Sequence, residues 1–250
     1  TLQHIIETIT GQSLRDFAKE NIFDILGMQY TDYLPTIQQQ DGKWINTVAC
    51  PWMDWIAPTE KQKDGSVLCG QVHDPLARIL NGGISGNAGI FSNANDIGIL
   101  AAALLNGGEY NGRRILSPLG VKTMCTVPRE LTAFGRTPGW DIFSPYASNK
   151  GDLFSPNTFG HTGYTGTSII IDPDNDTAVI LLVNAVHPED RHSIVRLRSL
   201  VANAVAASIC PPAQVYTDHY YKRFLQFETE TPISPKDIVM VGNSLTENGG

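Results

Sequence analysis

Residues 159–184 read "FGHTGYTGTSIIIDPDNDTAVILLVN", and their reading decides the fold. Two apolar runs, 167–172 and 177–184, flank "DPDND", whose Pro, Asn and Asp residues favour a turn. Strand-length runs rich in Ile and Val on either side of such a turn predict an antiparallel hairpin. Ahead of the first run stand His161, Thr162 and Gly163, followed by Tyr164 and further small or hydroxylated residues. Packing gives a strand little reason to carry such a tripeptide at its mouth. By itself the tripeptide assigns no function, since such tripeptides occur by chance in any loop.

Outward from this hairpin the chain is mostly helical. Leu2, Ile5, Ile6 and Ile9 follow helical spacing and predict a packed first helix, stopped by Gly11. Ser13 caps a second helix, "SLRDFAKENIFDIL", with Asp16 in its first turn and Gly27 beyond its end. Residues 30–72 carry little period, several Pro and Gly, and Trp44, Trp52 and Trp55, which suits a functional wall or lid. Those tryptophans line a cleft or enter the core. Asp74 caps a short helix with Pro75 at its first position and His73 packed nearby. Glycines 82, 83, 86 and 89 predict tight packing beside the site, because no lysine or GxGxxG order follows that would cradle phosphate.

Ser92 is the expected cap of a helix burying Ile97, Leu100, Ala101, Leu104 and Leu105. Asn111-Gly112 marks a hairpin tip, and Ser117-Pro118 opens another helix. A last helix is expected from about Asp190 to Ser208, packed on the sheet, before Pro211-Pro212 breaks the chain; a short helix follows around Tyr220 to Phe227. A helix-rich block, then antiparallel strands, then a terminal helix predicts an α+β fold rather than alternating βαβ units.

The composition narrows the function. The chain has 250 residues, 42% hydrophobic and 17% charged, with a net charge of −7. No Lys/Arg run exceeds two residues, so the basic stripe of a nucleic-acid binder is missing. No apolar run approaches the roughly 18 residues of a membrane span. Cys50, Cys69, Cys125 and Cys210 are far apart and form no CxxC pair. That spacing predicts neither metal nor redox site, fixes no disulfide, and leaves no cofactor implied.

Three stretches taken together, 9–31 ("ITGQSLRDFAKENIFDILGMQYT"), 70–108 ("GQVHDPLARILNGGISGNAGIFSNANDIGILAAALLNGG") and 159–188, resemble the serine β-lactamase and D,D-peptidase superfamily, in its class C-like branch. The likeness covers residues 1 to about 208. It implies a β-lactamase/transpeptidase-like α+β fold, an antiparallel sheet flanked by helices. In that family a Lys/His-Thr-Gly tripeptide on an edge strand lines the active site. His161, Thr162 and Gly163 match it and would bind substrate, and the backbone N–H of Tyr164 would serve the oxyanion hole. The chemistry implied is acyl transfer, in which a serine attacks an amide or ester carbonyl and preorganised donors hold the oxyanion.

The same family needs a Ser-x-x-Lys nucleophile motif and a Tyr-x-Asn or Ser-x-Asn motif. No serine here has lysine three residues later, and no tyrosine has asparagine two later. Since the family carries both motifs upstream of the "IIETITG" helix, the chain is expected to be a C-terminal portion truncated at its N-terminus, without activity by itself and with an exposed apolar face. The resemblance implies a small-molecule or peptidoglycan-like amide or ester substrate and an extracytoplasmic setting. The alternative is a non-catalytic module that keeps the fold for binding.

The tail raises a second resemblance. "DIVMVGNSLTENG" is similar to the opening block of SGNH (GDSL-type) hydrolases, with Asn243 in place of the usual aspartate and Ser244 at the nucleophile position. The organisation expected is therefore a β-lactamase-related portion over 1–210, a linker with a short helix over 211–236, and the first strand and nucleophile turn of a truncated second module over 237–250.

Overall fold

The computed structural model describes residues 1–144, 147–190 and 193–209, together with the strand residues 239–240. Its contacts divide the chain into two units. One comprises Thr1–Val121, Gly163–Thr167 and Leu182–Ser193; the other comprises Lys122–Thr162, Ser168–Leu181 and Ile194–Gly250.

The first unit opens with α1 (Leu2–Thr10), closed by Gly11 at φ 70, whose amide donates to the Glu7 carbonyl. The helical spacing is as expected, but the packing is not. No residue of α1 is fully buried, and Leu2, Ile5 and Ile9 are 71%, 45% and 77% exposed. Of the four apolar positions only Ile6 packs against the core of Leu14, Ala18, Phe23, Leu26, Met28, Tyr33 and Ala103. Ser13 caps the next segment, its Oγ accepting from the Asp16 amide at 3.1 Å. That segment is not one regular helix: α2 (Leu14–Ala18) passes through a π-helical turn, Lys19–Phe23, into α3 (Asp24–Leu26). The wide turn inserts a five-residue step between Ala18 and Phe23, which keeps both on the core face where a strict α-helix would carry the stripe one residue short.

Residues 30–72 are more ordered than their sequence predicts. β1 (Asp32–Tyr33), β2 (Thr36–Gln38) and β3 (Trp44–Asn46) lie here; β2 and β3 pair with each other, and β1 pairs antiparallel with β4 (Ile90–Phe91). None of the three tryptophans is core: Trp44 and Trp52 are half-buried, and Trp55 is 75% exposed. Asp74 caps as expected, accepting from the Ala77 amide at 2.7 Å ahead of the short π-helical turn Leu76–Leu80. The cap of α4 (Ala94–Leu105) is Asn93, not Ser92. Asn93 Oδ1 accepts from the Asp96 amide at 2.8 Å, while the Ser92 hydroxyl lies 2.7 Å from that of Thr31. Gly83 and Gly89 are tightly packed, since a Cβ on Gly83 would come within 2.9 Å of the Leu34 carbonyl oxygen and one on Gly89 within 2.7 Å of that of Gly83. β5 (Glu109–Tyr110) and β6 (Arg113–Arg114) form the expected hairpin, with Asn111 and Gly112 both at positive φ as a type I′ turn requires. α5 (Pro118–Cys125) follows, and the boundary between the units falls after Val121.

The second unit holds β7 (Phe159–Thr162), β8 (Ser168–Asp172), β9 (Thr177–Leu181), α6 (Val195–Ser208) and β10 (Val239–Met240). The predicted hairpin is present: β8 and β9 pair antiparallel from Ser168↔Leu181 to Asp172↔Thr177. β7 adds antiparallel to β8, and β10 adds parallel to β9, giving the order β10-β9-β8-β7. α6 lays Ala202 and Val205 on Ile170 and Val179, as expected of a helix packed on the sheet. It starts at Val195 rather than Asp190, and the Asp190 carboxylate is engaged by the Tyr164 hydroxyl. Cys50, Cys69 and Cys125 are free thiols. The linker 211–236, the helix expected near Tyr220 and the nucleophile candidate Ser244 lie outside the described residues.

Candidate functional site

β7 is an edge strand, and its outer side is half taken. Asp141 exchanges both backbone bonds with Gly160, at 2.9 and 3.0 Å. In an antiparallel ladder alternate residues face opposite neighbours, so Thr162, two residues on, also turns its backbone outward. Its carbonyl accepts from His161 Nδ1 at 2.9 Å. A carbonyl only accepts, so this bond puts a proton on Nδ1 and leaves Nε2 of a neutral ring as an exposed acceptor. His161 is exposed and Thr162 half-buried.

The unit boundary falls between Thr162 and Gly163, so each half of the tripeptide is held by its own surroundings. Gly163 donates to the Thr167 carbonyl at 2.7 Å and its own carbonyl accepts from Gly166 at 3.1 Å, which closes a tight turn with Tyr164 inside it. Any Cβ on Gly163 would overlap Thr167 Oγ1. Tyr164 is 74% exposed. Its hydroxyl donates to Asp190 Oδ2 at 2.5 Å, and its ring stacks on His73 with centroids 5.6 Å apart. The hydrogen bond to Asp190, more than any other influence, raises the Tyr164 phenol above its ordinary range. Among the described residues no carbonyl accepts from the Tyr164 amide.

The Ser-x-Asn spacing, unlike Tyr-x-Asn, does occur in the chain, at Ser85-Gly86-Asn87 and Ser155-Pro156-Asn157. Neither serine is poised to react. Ser85 is 3% exposed, donates to Asn87 Oδ1 at 2.5 Å and accepts from Asn81 Nδ2 at 2.9 Å. Ser155 donates to the buried Asp172 carboxylate at 2.6 Å. The thiols are no better: burial pushes Cys125 up to about 11 and raises Cys50 as well, the wrong direction for a nucleophile. No group of three or more His, Cys, Asp or Glu residues suited to a metal occurs among the described residues, and no helix there is long and apolar enough to cross a membrane. A cleft of about 440 Å³ in the first unit, lined by Tyr30, Asp32, Cys50 and Trp52 among others, includes none of the tripeptide.

The family model described as Beta-lactamase matches residues 1–203. The chain belongs to the Beta-lactamase family. Among curated relatives, a "Putative D-alanyl-D-alanine carboxypeptidase" of Escherichia coli (strain K12) is 36% identical over 200 aligned residues, covering 74% of this beta-lactamase-family chain and 43% of that protein. A protein of the same name from Salmonella gallinarum is 34% identical with the same coverage. The chain thus spans less than half the length of these relatives. Among solved structures, a beta-lactamase from Mycobacterium bovis superposes with a TM-score of 0.51 at 19% identity, covering 83% of this chain and 61% of that one. Simvastatin synthase from Aspergillus terreus gives 0.51 at 16% identity, covering 82% and 53%. At such identities the likeness speaks to the fold alone, and that fold is the β-lactamase/transpeptidase-like α+β arrangement.

Proposed function

We propose that this chain forms the substrate-facing wall of a serine hydrolase working by acyl transfer. In this reading His161, Thr162 and Gly163 contact substrate, and the Tyr164 backbone N–H is one oxyanion donor. The observation that carries it is the end of β7, an edge strand with outward backbone at Thr162, followed at Tyr164 by an amide unclaimed among the described residues. A serine oxygen bonds to the carbonyl carbon, the carbonyl electrons move to oxygen, and the amide donor stabilises that charge where it develops. Collapse expels the amine or alcohol, which takes up the proton that the general base removed from the serine, and water later hydrolyses the acyl ester to free the acid and restore the serine. No serine in the chain has lysine three residues on, so the nucleophile and its general base are assigned to polypeptide outside it.

A peptidoglycan-like peptide amide is the favoured substrate, supported by the name of the 36%-identical relative, and it brings an extracytoplasmic setting with it. Residues 1–210 are the β-lactamase-related portion, 211–236 a linker, and 237–250 the start of an SGNH-like module with Ser244 as nucleophile. The absence of a Ser-x-x-Lys motif from these 250 residues also suits the alternative reading, a non-catalytic binding module that keeps the fold.

Two measurements decide. The 250-residue chain, mixed with a chromogenic lactam or a p-nitrophenyl ester, is expected to give no burst and no covalent adduct by mass spectrometry. A stoichiometric adduct within 1–210 would mean the nucleophile lies inside the chain. In the full-length gene product, if His161 binds a substrate carboxylate, His161→Ala should lower kcat/KM about ten- to 150-fold, the roughly 1.5–3 kcal/mol of a charge-assisted contact, and His161→Lys should keep most activity. Intact kinetics with a lowered Tm would reduce His161 to the partner of the Thr162 carbonyl.

A further inference from the structure

We infer that His73 and Asp190 are positioning residues for the Tyr164 backbone amide, acting through the two ends of the Tyr164 side chain; the inference rests on the reading of that amide as an oxyanion donor. Tyr164 sits in a turn bounded by Gly163 and Gly166. The peptide unit that carries the Tyr164 N–H also carries the Gly163 carbonyl, so one turn bond, from Gly166 at 3.1 Å, orients it in the backbone, and a unit next to glycine reorients at low cost whenever that bond opens. An exposed tyrosine ordinarily samples several rotamers, yet here both the face and the tip are held: the ring stacks on His73 at an interplanar angle of 23°, and the hydroxyl reaches Asp190.

The holders are themselves fixed. The His73 side chain is 13% exposed, its Nε2 lies 3.2 Å from Glu60 Oε2 outside hydrogen-bond alignment, and its carbonyl accepts from the Arg78 guanidinium at 2.9 Å. Arg78 is buried and also reaches the Val72 carbonyl at 2.6 Å. The Glu60 loop is joined to the segment before Asp190: Lys61 donates to the Pro188 carbonyl at 2.9 Å, and His187 Nδ1 meets the Thr59 carbonyl at 2.7 Å. That segment returns to the turn through the Ala185 amide on the Thr165 carbonyl at 2.8 Å. All of these residues lie in the first unit. A closed ring of contacts therefore runs from His73 through the Tyr164 side chain and Asp190 back to Glu60, and the backbone of the turn is joined to it through the Thr165 carbonyl.

The test reads the amide itself and needs no activity. In the 250-residue chain, ¹⁵N relaxation should give Tyr164 a rigid order parameter near 0.85, falling below about 0.6 in His73→Ala and in Asp190→Ala. His73→Phe keeps the stacking and should restore it. If His73→Ala does not fold, Asp190→Ala and Tyr164→Phe, which remove only the hydroxyl contact, carry the same expectation of a loosened amide. An order parameter unchanged in the folded variants overturns the inference. In the full-length gene product the same variants should lower kcat about tenfold with KM unchanged. A loosened amide with unaltered kcat would leave His73 and Asp190 as positioning residues and instead remove the Tyr164 amide from the oxyanion hole.

Discussion

Tyr33 brings a phenol into the apolar core of the first unit, where it is 5% exposed and its hydroxyl donates to the Ser85 carbonyl at 3.4 Å. Burial pushes it up to about 12, because the phenolate would lose its water without gaining a cation. The folded value lies above the unfolded 10.0, so the associated stability is complete below pH 10 and is lost as pH rises towards 12. Each tenfold change in proton affinity is worth roughly 1.4 kcal/mol, so the loss is at most about 2–3 kcal/mol. Alkaline melts monitored by phenolate absorbance should show Tm falling across that window, and Tyr33→Phe should flatten the fall. Equal slopes for both proteins would move the effect to another group. At this scale the sequence names the residue but not its charge state: nothing in "DYLP" says that Tyr33 faces a core while Asp32 faces Arg15 at 2.7 Å.

Turn and cap chemistry made many elements legible. Asn111-Gly112, Ser13 with Asp16, Asp74 ahead of Ala77, and "DPDND" each take the conformation their residue types favour. The β8–β9 turn is the most heavily built. Asp172, 1% exposed, accepts from the Ser155 amide and hydroxyl, the Asp174 amide and Asn175 Nδ2 at 2.6–3.0 Å. Burial alone would raise its pKa, but these four donors outweigh burial and hold the carboxyl below the usual carboxylate range. Its stabilising effect is therefore complete above the ordinary carboxylate pKa and disappears as pH falls through the depressed value. Ser155→Ala removes one donor to a buried charge and should cost about 1.5–3 kcal/mol at neutral pH, shrinking in acid. A neutral-pH loss below about 0.5 kcal/mol would show that the remaining donors suffice. The elements that escaped prediction did so for tertiary reasons. Ser92 is a good cap residue, but Thr31 takes its hydroxyl and Asn93 caps instead. The π-helical turn at Lys19–Phe23 exists because the core, and not the local sequence, demands Phe23.

On the scale of the whole molecule, α1 leaves Leu2, Ile5 and Ile9 largely in water. Exposed apolar residues in a row favour association, so Leu2→Lys with Ile9→Lys should raise the aggregation threshold in light scattering while changing stability by no more than about 0.5 kcal/mol. Ile6→Ala, cut from the core contact, should cost more; a larger loss for the lysine pair than for Ile6→Ala would mean that the exposed face is packed in solution. What the sequence determined by itself was most of the caps and tight turns, the β8–β9 hairpin and the membership of the Beta-lactamase family. Periodicity, caps and turns are read within a few residues, and the family stretches are contiguous. Only the tertiary structure decided which apolar residues of α1 reach a core, that Asp141 occupies the outer edge of β7 at Gly160, and that His73, Glu60 and Asp190 meet around Tyr164. These contacts join residues tens of positions apart, and burial, stacking and the pairing of a strand edge depend on what the rest of the chain brings alongside.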